Sequence, residues 1–251
     1  MDALTLPVIL IIVTAIAVGT FAKGITGVGL PILAMPIMAG FFGVERAVLI
    51  MIIPSLFSNT WLVLTHRDEW PVLKRLVPFL VTAAVGGVLG SLVLVNVSAR
   101  GLSLLLAGVL GLYLLHQWRN PSFRLSDAQN RWAGPIAGLA AGAVQGTSGI
   151  SAPVIAPYYH AIGLTQRSYV CAISATFLMI SVVQVISLTR LGLYTPERVF
   201  EGVIALAPVV IFLPLGMRMA KTISREIFDR LLISILVLME FKLLYDGLLA
   251  S

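Results

Sequence analysis

Two short segments of this 251-residue chain carry residues whose types and spacing can do chemistry. KGITGVGLP at 23–31 and QGTSGISAP at 145–153 share the pattern G-x-[TS]-G-[VI]-x-x-P, so that Gly24 matches Gly146, Thr26 matches Ser148, Gly27 matches Gly149 and Pro31 matches Pro153. Glycine at Gly24, Gly27, Gly29, Gly146 and Gly149 lets the backbone take positive φ and turn sharply with its amides exposed. Such turns form anion-accepting nests. Pro31 and Pro153 then suit the first turn of a new helix, where a missing N–H leaves no hydrogen bond unmade. Two helix N-termini facing one cavity favour an anion, and Thr26, Thr147, Ser148 and Ser151 add hydroxyl donors. The ligand expected from these residues is a small anion.

Other polar residues flank the two segments. Lys23 ends the first apolar run beside the break, where it reads either as an intramembrane cation with a function or as a side chain snorkelling to the interface. Gln145 holds the equivalent place in the second segment. Arg46 and Arg167 stand at the starts of two later apolar runs and can guide an oxyanion through the planar guanidinium, or serve as ordinary loop cations. Asn59 and Gln184, each inside an apolar run, read as polar lining or as helix-to-helix contacts. Glu45, beside Arg46, and Glu240, near Lys242, read first as paired or interfacial acids and second as coupling carboxylates, with a proton or a sodium ion as the candidate coupling partner.

Enzyme chemistry finds little support. His66, His116 and His160 lie without metal-ligand spacing. GITGVG is not the dinucleotide fingerprint G-x-G-x-x-G, and GTSGIS is not a G-x-S-x-G nucleophile elbow. No cofactor and no metal are expected, and Asn96-Val97-Ser98 is a sequon of the kind that recurs by chance. Cys171 is the single cysteine, so no intrachain disulfide forms.

The elements that position these residues follow from composition. Hydrophobic residues make up 59% of the chain and charged residues 11%, against ~25% charged in soluble domains. The lipid bilayer is therefore the expected solvent. The charge of +6 sits between apolar runs and reads as loop anchoring rather than as a nucleic-acid surface. A spanning helix needs ~20 apolar residues, and hydropathy gives about eight spans, at 4–22, 47–64, 76–95, 102–118, 132–144, 168–188, 199–217 and 227–249. The first lacks a basic leader and is kept as a span. The fifth, short and built from Gly and Ala, suits close packing among other helices. Two apolar pieces at 32–42 and 154–162 are half-length and follow the glycine-rich breaks, as re-entrant or discontinuous helices do.

The expected fold is therefore all-α: a polytopic membrane bundle of two similar four-helix halves, each with a Gly/Pro-broken segment. Residues 1–118 form the first half, 119–131 a connector and 132–251 the second half. Two further matches support the repeat: GVERA at 43–47 with GLTQRS at 163–168, and the shared Pro-to-Gly spacing from Pro78 and from Pro208. Four spans per half imply a parallel relation, and an odd number an inverted one. With eight spans, Arg46, Arg100, Arg167, Arg218, Lys221, Arg225 and Arg230 fall on one side and eight cations on the other, which leaves the orientation open.

KGITGVGLPILAMP, QGTSGISAPVIAP and the tail LPLGMRMAKTISREIFDRLL, taken with about eight spans, resemble the TauE/SafE (sulfite exporter) family of membrane permeases over essentially the whole chain. Ser151 and Ala152 stand where many members carry further glycine. The resemblance implies a multi-pass protein of the bacterial inner membrane that transports small anions such as sulfite, sulfoacetate-like sulfonates, or other organosulfur or carboxylate anions. Alternating access at a site between the two breaks is the expected mechanism. A passive anion channel and a non-transporting membrane subunit are the alternatives, separated from it by flux assays with and without ion gradients.

Overall fold

A computed structural model describes residues 5–119, 124–220, 236–238, 240–245 and 248. Among these, the regular elements are all helical: α1 (Leu6–Thr26), α2 (Gly29–Phe42), α3 (Val44–Thr65), α4 (Pro71–Arg75), α5 (Val77–Asn96), α6 (Ala99–Arg119), α7 (Asp127–Ser148), α8 (Ala152–Ala161), α9 (Gln166–Arg190), α10 (Pro196–Ile204) and α11 (Leu206–Met219). Five stretches of the described residues are long and apolar enough to cross a membrane: α1, α3, α5, α9, and α10 with α11. The expected spans at 102–118 and 132–144 correspond to α6 and α7, which are long but not apolar throughout. The last expected span lies largely outside the described residues.

The side chains on α5 show how the bundle meets lipid. Val81, Val85, Val88 and Leu92 follow helical spacing and are 40–55% exposed, an apolar stripe that lipid can cover. The opposite face presents Gly86 and Gly90 to α7. A Cβ on Gly90 would come within 2.2 Å of the Ala143 carbonyl oxygen, and one on Gly142 within 2.0 Å of that of Ala83. Small residues thus bring these two backbones together. α1 and α11 cross in the same manner, with a Cβ on Gly24 falling 2.8 Å from the Gly216 Cα.

Each glycine-rich break is the tip of a helical hairpin. Gly27 (φ 86°) and Gly149 (φ 74°) close α1 and α7 in the left-handed conformation, donating their amides to the carbonyls of Lys23 and Gln145, as C-terminal glycines do. The chain then folds back: a Cβ on Gly19 of α1 would touch Leu30 and Ala34 of α2, and one on Gly134 of α7 would touch Tyr158 of α8. Only Gly27 and Gly149 of the five expected turn glycines have positive φ. Gly24 and Gly146 lie inside helices where another backbone passes, and Gly29 packs on its own α1, with a Cβ there 2.4 Å from that of Ala22. These three are required for space.

Side-chain contacts give the helix directions. At the start of α9, Arg167 pairs with Asp68 and Glu69, just beyond the end of α3, and Ser168 Oγ lies 2.5 Å from the Glu69 carboxylate. α3 and α9 are therefore antiparallel. Lys23 near the end of α1 meets Asn59 in the later part of α3, so α1 runs with α3. Gln184 near the end of α9 meets Gly146 near the end of α7, so α7 runs with α9. The two helices that carry the matched segments consequently run in opposite directions. Their opposition follows from the short α2, which adds a pass between α1 and α3 and leaves an odd number of passes before α7.

Candidate functional site

The polar side chains of the bundle interior converge between the hairpin tips. Lys23 is 1% exposed; its Nζ donates to Asn59 Oδ1 at 2.5 Å and to Ser58 Oγ at 3.1 Å, and lies 5.8 Å from the centre of the Phe177 ring. Among the described residues no carboxylate stands within ion-pair distance of it. Asn59 donates onward to Ser55 Oγ at 2.9 Å, and Ser181 Oγ of α9 donates to the same oxygen at 3.1 Å. One hydrogen-bonded chain thus runs from α1 through α3 to α9. The hydroxyls of Thr20 and Ser174, one turn before Lys23 and Phe177, are buried with no partner among the described residues. A buried hydroxyl without a partner is uncommon, and both offer donors near the ammonium's helices.

The second tip is built differently. Gln145 turns back on its own break, donating to the Gly149 carbonyl at 2.9 Å and accepting from Ser151 Oγ at 2.8 Å. Gln184 donates to the Gly146 carbonyl at 3.4 Å. Ser55, Gln145, Gly149, Ser181 and Gln184 line a small cavity of about 10 Å³ together with Val48, Met51 and Ile52 of α3. That is room for about one water-sized molecule. A wider, apolar groove of about 650 Å³ lies between α3 and Leu206, lined by Ile53, Phe57 and Trp61.

Several residues expected to offer donors to a ligand have local partners. Thr26 Oγ1 donates to the Ala22 carbonyl and accepts from the Val28 amide, while Ser148 does the same with Val144 and Ile150. Both hydroxyls lock the turn. Thr147 Oγ1 donates to the carbonyls of Ala143 and, across the α5 crossing, Gly90. Pro31 and Pro153 stand in the first turns of α2 and α8, where their fixed φ fits.

The two arginines lie far from Lys23 in the chain of contacts and at opposite ends of the bundle. Arg46, 6% exposed, forms a 2.5 Å ion pair with Glu201 of α10 and stacks over Phe42 at 5.0 Å. Arg167 is exposed and held by Asp68 and Glu69. Glu45 is exposed on the first turn of α3, and Glu240 Oε1 faces Gly111 of α6. Sequence reasoning missed Ser55, Ser58, Ser181 and Glu201. The signal for the first two was present in Ser55, Ser58 and Asn59 at i, i+3 and i+4, a polar stripe on an otherwise apolar helix.

The family model for the sulfite exporter TauE/SafE matches residues 11–243. The chain belongs to that family. No match to it was found among curated proteins or among solved structures. TauE/SafE membership, with the long apolar helices above, makes this an integral membrane protein of a transporter family whose model is named for sulfite export. In this TauE/SafE chain Lys23 places its Nζ beside a hairpin tip with neutral partners, Asn59 and Ser58.

Proposed function

We propose that the chain is a secondary transporter of small oxyanions, sulfite and sulfoacetate-like sulfonates first and other organosulfur or carboxylate anions next, in the bacterial inner membrane. The anion sits beside Lys23 between the two hairpin tips, and the tips expose it to each side in turn. The single observation that carries this reading is the buried ammonium of Lys23 with neutral partners only. A charge held away from water is costly unless an opposite charge joins it, and an anionic cargo supplies that charge. Sulfite offers three oxygens to Lys23, Ser58 and the neighbouring hydroxyls.

Support for alternating exposure, against a wide pore, comes from the narrow interior at Ser55 and Ser181, where the cavity holds only about 10 Å³. Two halves, 1–118 and 132–251 joined by 119–131, would be related by inversion in the membrane. The opposed directions of α1 and α7 favour this, as do the matched crossings of Gly24 with Gly216 and of Gly146 with Gly90. Inverted repeats with broken helices at the midplane are a recurring transporter plan.

The test is flux in proteoliposomes holding the purified full chain, with a panel of sulfite, sulfoacetate, sulfate and small carboxylates. Uptake of sulfite or a sulfonate that responds to an imposed pH or sodium gradient is expected. Absence of flux for every anion overturns the reading, and flux indifferent to both gradients replaces it with a passive facilitator.

A further inference from the structure

The helix directions redistribute the basic residues that an eight-span count divides almost evenly. The end of the bundle where α3 finishes and α9 begins holds the turn Arg67–Glu69 and α4 (Pro71–Arg75). There Val72 and Leu73 pack inward against the buried cluster that includes Phe79, Tyr158 and Tyr159, while Arg67, Lys74 and Arg75 are exposed. The same end receives the start of α7 and the end of α8: Arg124 donates to the His160 carbonyl at 2.8 Å, and Arg131 is exposed one turn into α7. Arg167 is here through its contact with Asp68. Arg218 is here too, beside Trp61 and Thr65 of α3. Arg167 and Arg218 thus leave the side that eight spans would give them. Lys221, Arg225 and Arg230 lie outside the described residues.

The opposite end is poorer in exposed cations. Arg46 is buried on Glu201, and Arg198 pairs with the same carboxylate at 3.0 Å. Arg100, which donates to the Leu248 carbonyl, and Arg190 are the exposed ones among the described residues, with Lys242 half-buried. Tryptophan follows the same bias. Trp70 (46% exposed) and Trp132 (78% exposed) both stand at the basic end, at the level where aromatic rings meet headgroups.

We propose that this basic, tryptophan-bearing end is a docking surface for the anionic phospholipid headgroups of the cytoplasmic leaflet, and that it fixes the chain with the start of α1 and the Arg46–Glu201 pair on the outer side. Exposed Lys and Arg close to helix ends are retained on the cytoplasmic side, where anionic lipid and the insertion machinery favour them, while Asp and Glu contribute little. Because α3 runs toward this end, Ser58 and Asn59 lie on its side of Ser55. Lys23 therefore stands on the cytoplasmic side of the Ser55–Ser181 hydrogen bond. The orientation does not depend on the anion reading and survives its failure.

Two labelling sites decide it. In a Cys171→Ala background of the full chain, Ala99→Cys marks the start of α6 at the outer end and Ala128→Cys marks the start of α7 at the basic end; both positions are exposed. A membrane-impermeant maleimide applied to intact spheroplasts is expected to label Ala99→Cys roughly tenfold or more over Ala128→Cys, and detergent permeabilisation is expected to equalise them. Preferential labelling of Ala128→Cys, or equal labelling of both in intact spheroplasts, overturns the orientation. The lipid arm adds Lys74→Gln, Arg75→Gln, Arg124→Gln and Arg131→Gln together to each labelling background. Protected Ala99→Cys and newly labelled Ala128→Cys are expected to rise, and an unchanged pattern overturns the role of this surface.

Discussion

Lys23 of α1 reaches Asn59 of α3 with Nζ 2.5 Å from Oδ1, whereas Gln145, at the matching place in α7, turns back to Gly149 and Ser151. One tip thus presents a cation to the interior and the other closes on itself. Lys23→Gln gives the first tip the second tip's side chain and removes the charge. Hydrogen bonds to a charged group are worth ~1.5–3 kcal/mol, so anion flux at subsaturating substrate is expected to fall roughly ten- to hundredfold. The folded protein should hold or gain stability in detergent, since a desolvated charge is lost. Flux at the wild-type level in proteoliposomes would reduce Lys23 to a packing residue.

The hairpin tips differ from an ordinary turn in what crowds them. Gly27 and Gly149 have positive φ, and a Cβ would lie 3.0 Å from the side chain of Val170 at Gly27 and 2.8 Å from that of Met35 at Gly149. Gly192 shares the conformation (φ 77°) with open space around it. Gly192→Ala is expected to cost only the left-handed backbone term, ~1–2 kcal/mol. Gly149→Ala and Gly27→Ala should lower the thermal midpoint further. Equal shifts at all three positions would show that the neighbours yield freely.

Much of this arrangement is legible in the sequence, for identifiable reasons. Gly27 and Gly149 stand out because a glycine followed four residues later by proline, between apolar runs, marks a helix stop and restart. The helix limits of α3, α5 and α9 follow from apolar length. Direction is hidden, because α2 and α8 are too short to count as spans although each reverses the chain; leaving them out also misplaces Arg167 and Arg218. The partners of Lys23 are hidden for another reason. Ser58 is a small hydroxyl of a kind that helices tolerate widely, and its meeting with Lys23 of α1 is a contact across 35 positions of chain. Glu201 could not be matched to Arg46 without the fold, since 155 positions separate them.

The Arg46–Glu201 pair is buried at 6% and 1% exposure, so its members depend on each other. Glu201→Gln leaves the Arg46 guanidinium facing a neutral amide and also weakens the hold on Arg198. Breaking a buried pair from one side costs ~3–5 kcal/mol, whereas replacing both partners by apolar residues is often nearly neutral. Arg46→Met with Glu201→Met should therefore be more stable than Glu201→Gln alone by thermal unfolding in detergent. A double variant less stable than either single one would mean that the pair contributes beyond mutual neutralisation.

The two close crossings make the most exacting prediction about assembly. Gly90 of α5 meets α7 at Gly146, and Gly216 of α11 meets α1 at Gly24; a Cβ on Gly90 or Gly216 would lie 2.2 Å from the Ala143 or 2.3 Å from the Phe21 carbonyl oxygen. Those oxygens belong to helix backbone and can give way only if the helices separate. Overpacking of this kind costs ~1–3 kcal/mol or more. At Gly108 of α6 an added methyl would meet nothing within 4 Å, and there alanine is expected to gain up to ~1 kcal/mol from helix propensity. Thermal unfolding should rank Gly108→Ala at or above the wild type, with Gly90→Ala and Gly216→Ala both well below it. Each crossing fastens the first helix of one hairpin to a span on the other side of the chain's midpoint, so loss at only one of them would show that a single crossing holds the bundle together.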